Sequence, residues 1–254
     1  DGIVVGHRGE QLALSQGNEA DVPTRPRLRG VVLDLDGVLA DSAELHYRAW
    51  RDLADELGIQ FGRADNERLR GIDRMTSLER ILAGSGRAYS EAEKHELAAQ
   101  KNASYQRLID TVTSADVLPG VERLLDELAV AGLPLALASA SRNGPALLNR
   151  LGIADRFAVI VDPATLERGK PDPEIFERAA AGLGFATDEC VGVEDATAGV
   201  EAILGAGMAA VGVGPHETVG AAQVVIDDTS KLTTAVLRKA HAAASGAAGD
   251  LARQ

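Results

Sequence analysis

Five short aliphatic runs, separated by segments with helical periodicity, constrain the fold of this chain more than any other feature. The runs are VVLDLD at 31–36, LALAS at 135–139, AVIVD at 158–162, CVGVED at 190–195 and AAVGVG at 209–214. They are too short and too rich in β-branched residues for helices, and they are typical of buried parallel strands. The segments between them alternate with the runs and carry helical spacing. This order predicts an α/β fold, a Rossmann-like parallel sheet with helices on both faces.

One interval breaks this alternation. About a hundred residues of helical pattern separate the first run from the second, far more than a crossover between parallel strands needs. We therefore predict an inserted all-helical cap domain at 43–115 and a core domain at 30–42 and 116–243. Residues 1–29 have short alternating apolar patches and predict an N-terminal extension or linker with strand fragments. The Ala/Gly-rich residues 244–254 are typical of a flexible tail.

Polar side chains follow the ends of successive runs. They are Asp34 and Asp36 in the first run, Ser139 in the second, Lys170 after the third, and Glu194 and Asp195 in the fourth. Ligands of open parallel sheets bind beyond the carboxyl ends of the strands, so we expect these side chains to share one site. Charged groups at one sheet edge are unfavourable unless they are compensated, and a divalent cation with a phosphate compensates them. The pattern predicts phosphoryl transfer.

Asp34 and Asp36 would lie on the same side of an extended strand, because side chains alternate along it. One carboxylate can then attack phosphorus to give an aspartyl phosphate while the other transfers protons. Lys170 and Ser139 would hold the phosphoryl oxygens. One Mg²⁺ ion is expected, and its predicted ligands are the side chains of Asp34 and Asp195, the main-chain carbonyl of Asp36, and Glu194 either directly or through a hydrogen bond.

Each of these residues also has a purely structural explanation. An Asp-rich turn accounts for Asp34 and Asp36, a solvated loop for Lys170, and a helix cap for Glu194 and Asp195. Their joint occurrence at strand ends, in this order, favours a functional site.

Longer stretches carry a family resemblance. They are DLDGVLADSAELHYRAW (34–50), RGIDRMTSLERIL (70–82), KNASY (101–105), ADVLPG (115–120), LASASRNGP (137–145), KPDP from Lys170 and GVEDATAGVEAI (192–203). Through them the chain resembles the haloacid dehalogenase-like hydrolase superfamily and, within it, the β-phosphoglucomutase family, from about Val31 to Gly214. The resemblance implies a Rossmann-like core, a helical cap, Mg²⁺ and the interconversion of β-D-glucose 1-phosphate and glucose 6-phosphate. It also implies an aspartyl-phosphate enzyme, a β-glucose 1,6-bisphosphate intermediate and glucose 1,6-bisphosphate as activating phosphodonor.

The resemblance implies roles for individual residues. Asp34 would be the nucleophile and Asp36 the general acid/base, while Arg74 would grip the non-transferring phosphate. The residues that would contact substrate are His46, Gly71, Ile72, Arg74, Ser77, Lys101, Ser141, Arg142 and Asn143. Ser42 stands where the family has Thr, and Arg142 stands where Lys is common. Both residues keep the class of functional group, a hydroxyl in one case and a cation in the other.

The resemblance further implies that His46 couples cap closure to proton transfer. Without the resemblance, His46 lies on an apolar helix stripe, where a buried structural histidine is the simpler interpretation. Lys101 lies on the apolar face of its helix, between Leu97 and Tyr105. An unpaired ammonium there would be unfavourable unless it meets an anion.

Three alternatives to a mutase remain open at this point. A sugar-phosphate phosphatase of the same superfamily shares every core residue and differs in the cap. A non-catalytic sugar-phosphate sensor would not need the complete set of Asp34, Asp36, Lys170 and Asp195. A dehalogenase is disfavoured, because Asp36 supplies the proton-transfer group that phosphoryl transfer needs.

Charge and composition limit the classes of partner that the chain can bind. A formal net charge of -12 argues against nucleic acid and anionic membranes. The longest apolar run, 128–140, is interrupted by Gly132 and Pro134 and is shorter than a membrane helix. Cys190 is the single cysteine, so no intramolecular disulfide exists, which fits a cytoplasmic enzyme. We expect a monomer that binds small sugar phosphates. Residues 1–29 resemble the closing strands of a disaccharide phosphorylase, which implies a fusion to such an enzyme or a neighbouring gene for it.

Overall fold

The structure is a computed structural model that describes the backbone of residues 27–251 and the side chains of residues 27–245. Almost all of the predicted N-terminal extension, residues 1–29, lies outside the described residues. The strand fragments and the phosphorylase origin expected for it therefore stay predictions.

A six-stranded, entirely parallel sheet lies at the centre of the fold, in the order β3-β2-β1-β4-β5-β6. The strands are β1 Gly30–Leu33, β2 Leu135–Leu137, β3 Val159–Ile160, β4 Cys190–Glu194, β5 Ala209–Val213 and β6 Val224–Ile226. The predicted α/β fold is confirmed. Strand order changes direction between β1 and β4, and open sheets bind ligands at such a switch point.

The strands differ from the predicted runs in two ways. The strand β6 was not predicted, because Val224–Ile226 is too short to give a periodic signal. The predicted run 31–36 extends beyond β1, which ends at Leu33. Asp34 N still donates to Val193 O at 3.0 Å, but Leu35 O then accepts from Leu39 N at 2.9 Å and turns the chain. Asp34 and Asp36 therefore follow the strand and do not belong to it.

The described part of the chain contains ten α-helices, which either pack on the sheet or form the insertion. They are α1 Ala43–Glu56, α2 Arg63–Glu67, α3 Arg74–Leu82, α4 Glu91–Ile109, α5 Val121–Ala131, α6 Gly144–Leu151, α7 Glu174–Leu183, α8 Thr197–Gly205, α9 His216–Val219 and α10 Thr234–Leu251. No described helix is both long enough and apolar enough to cross a membrane.

Helices cover both faces of the sheet, as the alternation of strand and helix predicts. Leu124 of α5, Leu147 of α6 and Leu237 of α10 belong to one hydrophobic cluster with Val31. The neighbouring Val32 belongs to a second cluster, with residues of α7 and α8. Successive strand residues point to opposite faces, so β1 is buried on both sides.

The four helices α1 to α4 lie between β1 and β2 in the sequence, as expected for an insertion, and they have a hydrophobic cluster of their own. Trp50 and Leu53 of α1 pack there with Leu78 and Ile81 of α3 and Ala98 of α4. The domain boundaries at 42/43 and 115/116 stay a prediction.

The C-terminal end also differs in part from its prediction. The helix α10 continues to Leu251, past residue 244 where a tail was expected to begin. Alanine has the highest helix propensity, which explains why an Ala-rich sequence extends the helix.

Candidate active site

One cavity of about 460 Å³ lies where α1, α3 and α4 face the carboxyl ends of the strands. Most of the predicted site residues line it: Asp34, Asp36, His46, Gly71, Ile72, Arg74, Ser77, Lys101, Ser141, Arg142, Asn143, Lys170 and Asp195. Ser139 and Glu194 are buried behind this lining. The structure thus brings core and insertion residues to one cavity, as the resemblance implied.

Lys170 bridges two carboxylates at the floor of the cavity. Its Nζ lies 2.7 Å from Asp34 Oδ1 and 2.6 Å from Glu194 Oε1. Burial alone would lower the pKa of Lys170, but the two carboxylates raise it above its usual value. Burial raises the pKa of Asp34 to about 7, and the charge of Lys170 opposes that rise. Lys170 therefore stays protonated and stabilises the negative charge of Asp34.

Three carboxylates form a candidate cation site beside Lys170. Oxygen atoms of Asp34, Glu194 and Asp195 lie within 4.8 Å of one another, and all three residues are buried. Burial raises the pKa of Asp195 well above its usual value, and the charge of Glu194 adds to the rise. Hard oxygen donors that repel one another fit Mg²⁺ by their chemistry.

The three carboxylates are not equally available. Glu194 Oε1 accepts from Lys170, and Oε2 accepts from the main-chain N–H groups of Asp195 and Ala196, each at 2.8 Å. Asp34 and Asp195 line the cavity, whereas Glu194 does not. The side chain of Asp36 is not part of the cluster. These contacts favour Asp34 and Asp195 as direct ligands and Glu194 as the group that orients its neighbours.

Asp36 lies at the boundary between the core and the insertion. The Ser42 hydroxyl donates to Asp36 Oδ1, and His46 Nε2 lies 3.8 Å from the same oxygen. Asp36 N donates to Asp34 Oδ2 at 3.1 Å. Burial raises the pKa of Asp36, and the Ser42 hydrogen bond opposes that rise. Asp36 is placed to gain and lose a proton next to the predicted nucleophile.

Lys101 is buried in the insertion, with aromatic rings around its ammonium. Its Nζ lies 4.5 Å from the ring centroid of Trp50 and 4.6 Å from that of Tyr105. Burial lowers the pKa of Lys101 to about 7, and the charge of Arg74 adds to the decrease. Burial and the charge of Lys101 also hold the pKa of His46 well below its usual value. The imidazole is therefore neutral at physiological pH.

Arg74 and Arg142 bring positive charge from opposite sides of the cavity. Arg74 is the first residue of α3, and the Asp73 side chain caps this helix by accepting from Met75 N at 2.9 Å. Burial lowers the pKa of Arg74, and the nearby charge of Arg142 lowers it further. Two close guanidinium groups repel each other unless an anion lies between them.

The loop after β2 is built from side-chain to main-chain hydrogen bonds. Ser139 Oγ accepts from Ser141 N at 3.1 Å, and Ser141 Oγ accepts from Asn143 N at 3.3 Å. Ser139 is buried, and its Oγ supports the loop in this structure. The predicted contact of Ser139 with phosphoryl oxygens stays a prediction.

Gly71 allows the insertion to approach the core closely. Its φ of +75° is in the left-handed region, and a Cβ there would lie 3.1 Å from the Ala196 Cβ. Gly71 and Ile72 thus run along the start of α8 and reach the cavity.

The sequence reasoning did not identify Arg70 as a site residue. The Arg70 guanidinium contacts Asp195 Oδ2 directly and also lies 3.3 Å from Glu67 Oε2. Arg70 begins the stretch RGIDR, but nothing in the sequence around it distinguishes it from an ordinary exposed arginine. Only the fold, which brings the end of α2 to the end of β4, reveals the contact.

Comparisons with known proteins agree with this geometry. A family model for haloacid dehalogenase-like hydrolases matches residues 28–207. The chain is 48% identical over 214 residues to β-phosphoglucomutase of Bacillus subtilis. The aligned residues cover 84% of this chain and 95% of that protein. It is 36% identical over 193 residues to hexitol phosphatase A of Escherichia coli, covering 74% and 83%. The crystal structure of β-phosphoglucomutase from Clostridium difficile matches with a TM-score of 0.82 and 42% identity, covering 85% of this chain and 97% of that one.

Proposed function

This chain belongs to the haloacid dehalogenase-like hydrolase family, and we propose that it is a magnesium-dependent β-phosphoglucomutase, an isomerase of carbohydrate metabolism. It would interconvert β-D-glucose 1-phosphate and glucose 6-phosphate through an aspartyl phosphate and β-glucose 1,6-bisphosphate. One observation carries the proposal: the cavity that holds Asp34 and Asp36 also holds Arg74, Lys101 and Arg142. None of these three cations forms an ion pair with a carboxylate of residues 27–245. A sugar bisphosphate needs two anion sites; these three cations support one of them, and Lys170 beside the candidate Mg²⁺ site supports the other.

Asp34 is the proposed nucleophile. A carboxylate oxygen of Asp34 forms a bond to phosphorus while the bond from phosphorus to the donor oxygen breaks. Asp36 donates a proton to the departing sugar oxygen and, in the reverse direction, accepts the proton of the attacking hydroxyl. Lys170 offsets the charge on Asp34 and on the phosphoryl oxygens. The aspartyl phosphate then passes its phosphoryl group to the 6-hydroxyl of β-glucose 1-phosphate, whose proton goes to Asp36, and the bond from phosphorus to Asp34 breaks. The resulting bisphosphate turns so that its 1-phosphate meets Asp34, and transfer of that phosphoryl group to Asp34 releases glucose 6-phosphate.

Magnesium fits the carboxylates of this site. Asp34 and Asp195 would hold the ion together with the main-chain carbonyl of Asp36, and Glu194 would orient the loop. When bound, the ion would offset charge on the transferring phosphoryl group.

The insertion explains how a mutase can avoid hydrolysis. Water is smaller and more abundant than the sugar, so the site must close around the sugar before transfer. We propose that residues 43–115 move as a cap and close when the non-transferring phosphate binds Arg74. Closure would bring Lys101 and His46 against Asp36, as the distance of 3.8 Å between His46 Nε2 and Asp36 Oδ1 supports.

Further features belong to the same proposal. We propose that glucose 1,6-bisphosphate supplies the activating phosphoryl group and that the enzyme is a cytoplasmic monomer. A disaccharide phosphorylase, fused to this chain or encoded beside it, would supply β-glucose 1-phosphate. The single cysteine fits a reducing compartment.

A sugar-phosphate phosphatase is the second candidate, favoured by the 36% identity to hexitol phosphatase A. One coupled assay separates the two. The protein is given β-glucose 1-phosphate, Mg²⁺ and a catalytic amount of glucose 1,6-bisphosphate, and glucose 6-phosphate and free phosphate are followed together. A mutase produces glucose 6-phosphate with little free phosphate. Phosphate release without glucose 6-phosphate would favour the phosphatase.

The nucleophile has a test of its own. Asp34→Asn should abolish formation of a labelled phosphoenzyme from radiolabelled glucose 1,6-bisphosphate. Labelled covalent adduct that survives in this variant would remove Asp34 as the nucleophile.

A further inference from the structure

The side chain of Asn143 is held by two residues of the cap helix α4. Asn143 Nδ2 donates to Asn102 Oδ1 at 2.9 Å, and Asn143 Oδ1 accepts from Gln106 Nε2 at 3.4 Å. The first bond has ordinary length, and the second is longer and weaker. Asn102 and Gln106 lie four residues apart on α4, so they share one face of the helix. Neither residue lines the cavity, whereas Asn143 does.

Asn143 itself is fixed at its main chain. It precedes the first residue of α6, it is 8% exposed, and its N–H donates to Ser141 Oγ at 3.3 Å. The position of its Cα is therefore set by the core. The orientation of its side-chain amide is set by α4, which belongs to the insertion.

That orientation matters for an anionic ligand. A carboxamide has an oxygen that accepts and a nitrogen with two N–H groups that donate. With Oδ1 accepting from Gln106 and one N–H given to Asn102, the second N–H of Asn143 stays available to a ligand. A flipped amide would exchange the two ends and could present an oxygen to a phosphate, which repels it.

We propose that Asn102 and Gln106 are positioning residues that lock the Asn143 amide with an N–H available to the non-transferring phosphate of the sugar substrate. The inference rests on the proposed function, because it takes a sugar phosphate as the ligand. The helix α4 then has a second role besides carrying Lys101. Its residues Asn102 and Gln106 orient the amide of Asn143 only when α4 lies against the core. Closure of the cap thus completes the phosphate site of the core.

The test is a double-mutant cycle on ligand affinity. The dissociation constant of glucose 6-phosphate is measured by calorimetry, with Mg²⁺ present, for the unchanged protein, Asn102→Leu, Asn143→Ala and the double variant. We expect Asn102→Leu to weaken binding about three- to tenfold, the range for loss of one hydrogen bond. In the Asn143→Ala background the same change should have less than about a twofold effect, because coupled residues are not additive.

Gln106→Met should weaken binding less than Asn102→Leu does, in line with its longer hydrogen bond. Gln100→Met is the matched control, since Gln100 lies on the same helix but bonds Glu56 on α1. It should leave the affinity unchanged. Steady-state kinetics of Asn102→Leu should show a raised KM with a smaller change in kcat, which loss of folding would not produce.

Two outcomes would overturn the inference. One is an unchanged affinity in Asn102→Leu, and the other is an equal loss with and without the Asn143 side chain. Both leave the proposed function intact as long as the unchanged protein binds glucose 6-phosphate and forms it from β-glucose 1-phosphate. If the unchanged protein does neither, the proposed function fails, and the inference fails with it.

Discussion

The Nζ atom of Lys101 lies 3.0 Å from Nδ1 of His46. An ammonium can only donate, so Nδ1 accepts and the proton of the neutral imidazole is on Nε2. That N–H lies 3.8 Å from Asp36 Oδ1. Lys101 thus fixes the tautomer of an imidazole whose Nε2 faces the proposed acid/base at a distance too long for a hydrogen bond.

This pair predicts a pH dependence of substrate binding. Burial lowers the pKa of Lys101 to about 7. The ammonium therefore attracts an anion below neutral pH and loses its charge as the pH rises. Loss of the Lys101 charge should by itself increase the Kd of glucose 6-phosphate about tenfold from pH 6 to pH 8, the change expected for one titrating group in this range.

Lys101→Met is the matched comparison, because it keeps the length of the side chain and removes the charge. Its affinity should be weaker at pH 6 and should lack this increase. The second ionisation of the sugar phosphate affects both proteins equally, so the difference between their pH profiles isolates Lys101. Parallel profiles would contradict the prediction.

Lys170 should be essential for stability as well as for activity. Its ammonium lies between two buried carboxylates. Lys170→Met would leave Asp34 and Glu194 buried without their partner, at a cost of about 3–5 kcal/mol in the free energy of unfolding. Urea denaturation measures this loss.

The control is Lys94→Met, because Lys94 pairs with Glu79 and Glu91 at the surface. It should leave the free energy of unfolding nearly unchanged, and an equally small effect of Lys170→Met would refute the prediction.

The sequence predicted the fold well where aliphatic runs of five or six residues alternate with helical segments. Each of the five predicted runs overlaps a strand, and the helical insertion falls where the alternation of strand and helix is broken. The sixth strand, Val224–Ile226, escaped because three apolar residues carry no period. The end of β1 was misplaced because a turn that starts at Leu35 has no Gly or Pro until Gly37.

The sequence predicted the site less completely, for a physical reason. Residues at strand ends are brought together by the topology of the sheet, so Asp34, Lys170 and Asp195 could be expected to meet. The contact of Arg70 with Asp195 depends on how the insertion lies against the core, and nothing in local sequence encodes that arrangement. The assignment of Ser139 to the phosphoryl group, made from its position at a strand end, stays a prediction.

Arg70 should weaken the binding of magnesium. Its guanidinium contacts Asp195 Oδ2, so it competes with a cation for this carboxylate. Arg70→Gln removes the competitor and one positive charge, and it should tighten Mg²⁺ binding about ten- to hundredfold, since an arginine–carboxylate contact is worth about 1.5–3 kcal/mol. Calorimetric titration with MgCl₂ measures the effect in the absence of substrate.

The neighbouring Arg68 provides the control for this experiment. Its side chain is exposed and pairs with Asp65 at 3.5 Å, away from Asp195. Arg68→Gln should leave the Mg²⁺ affinity unchanged within about a factor of two, as expected for an exposed charge. Equal effects of the two substitutions would show that only net charge matters.

Gly37 should be required for the carboxylate cluster. Its φ is +76°, and a Cβ at this position would lie 1.8 Å from Asp195 Oδ2. Gly37→Ala therefore has to displace Asp195, and we expect Mg²⁺ affinity and mutase activity to fall by at least about a hundredfold, the scale of a misplaced catalytic group. Gly58→Ala is the control, because Gly58 has a φ of +69° and open space around its Cβ. Gly58→Ala introduces a similar backbone strain, so it should lower the stability of the protein without lowering its Mg²⁺ affinity or its activity. A similar loss of activity in both variants would exclude the displacement of Asp195 as the cause.

Arg74 should separate mutase activity from hydrolysis. If binding of the non-transferring phosphate to Arg74 closes the cap, then Arg74→Ala removes the step that places the sugar hydroxyl and excludes water. Transfer to sugar should fall by about a hundredfold or more, the cost of losing a positioning contact, whereas slow hydrolysis of the aspartyl phosphate needs no cap contact and should change little. Glucose 6-phosphate formation and decay of labelled phosphoenzyme measure the two rates. Arg80→Ala, on the same helix but bonded to the Arg68 carbonyl at the surface, should affect neither rate. Equal loss of both activities in Arg74→Ala would mean that Arg74 acts on the chemistry itself and that closure does not depend on it.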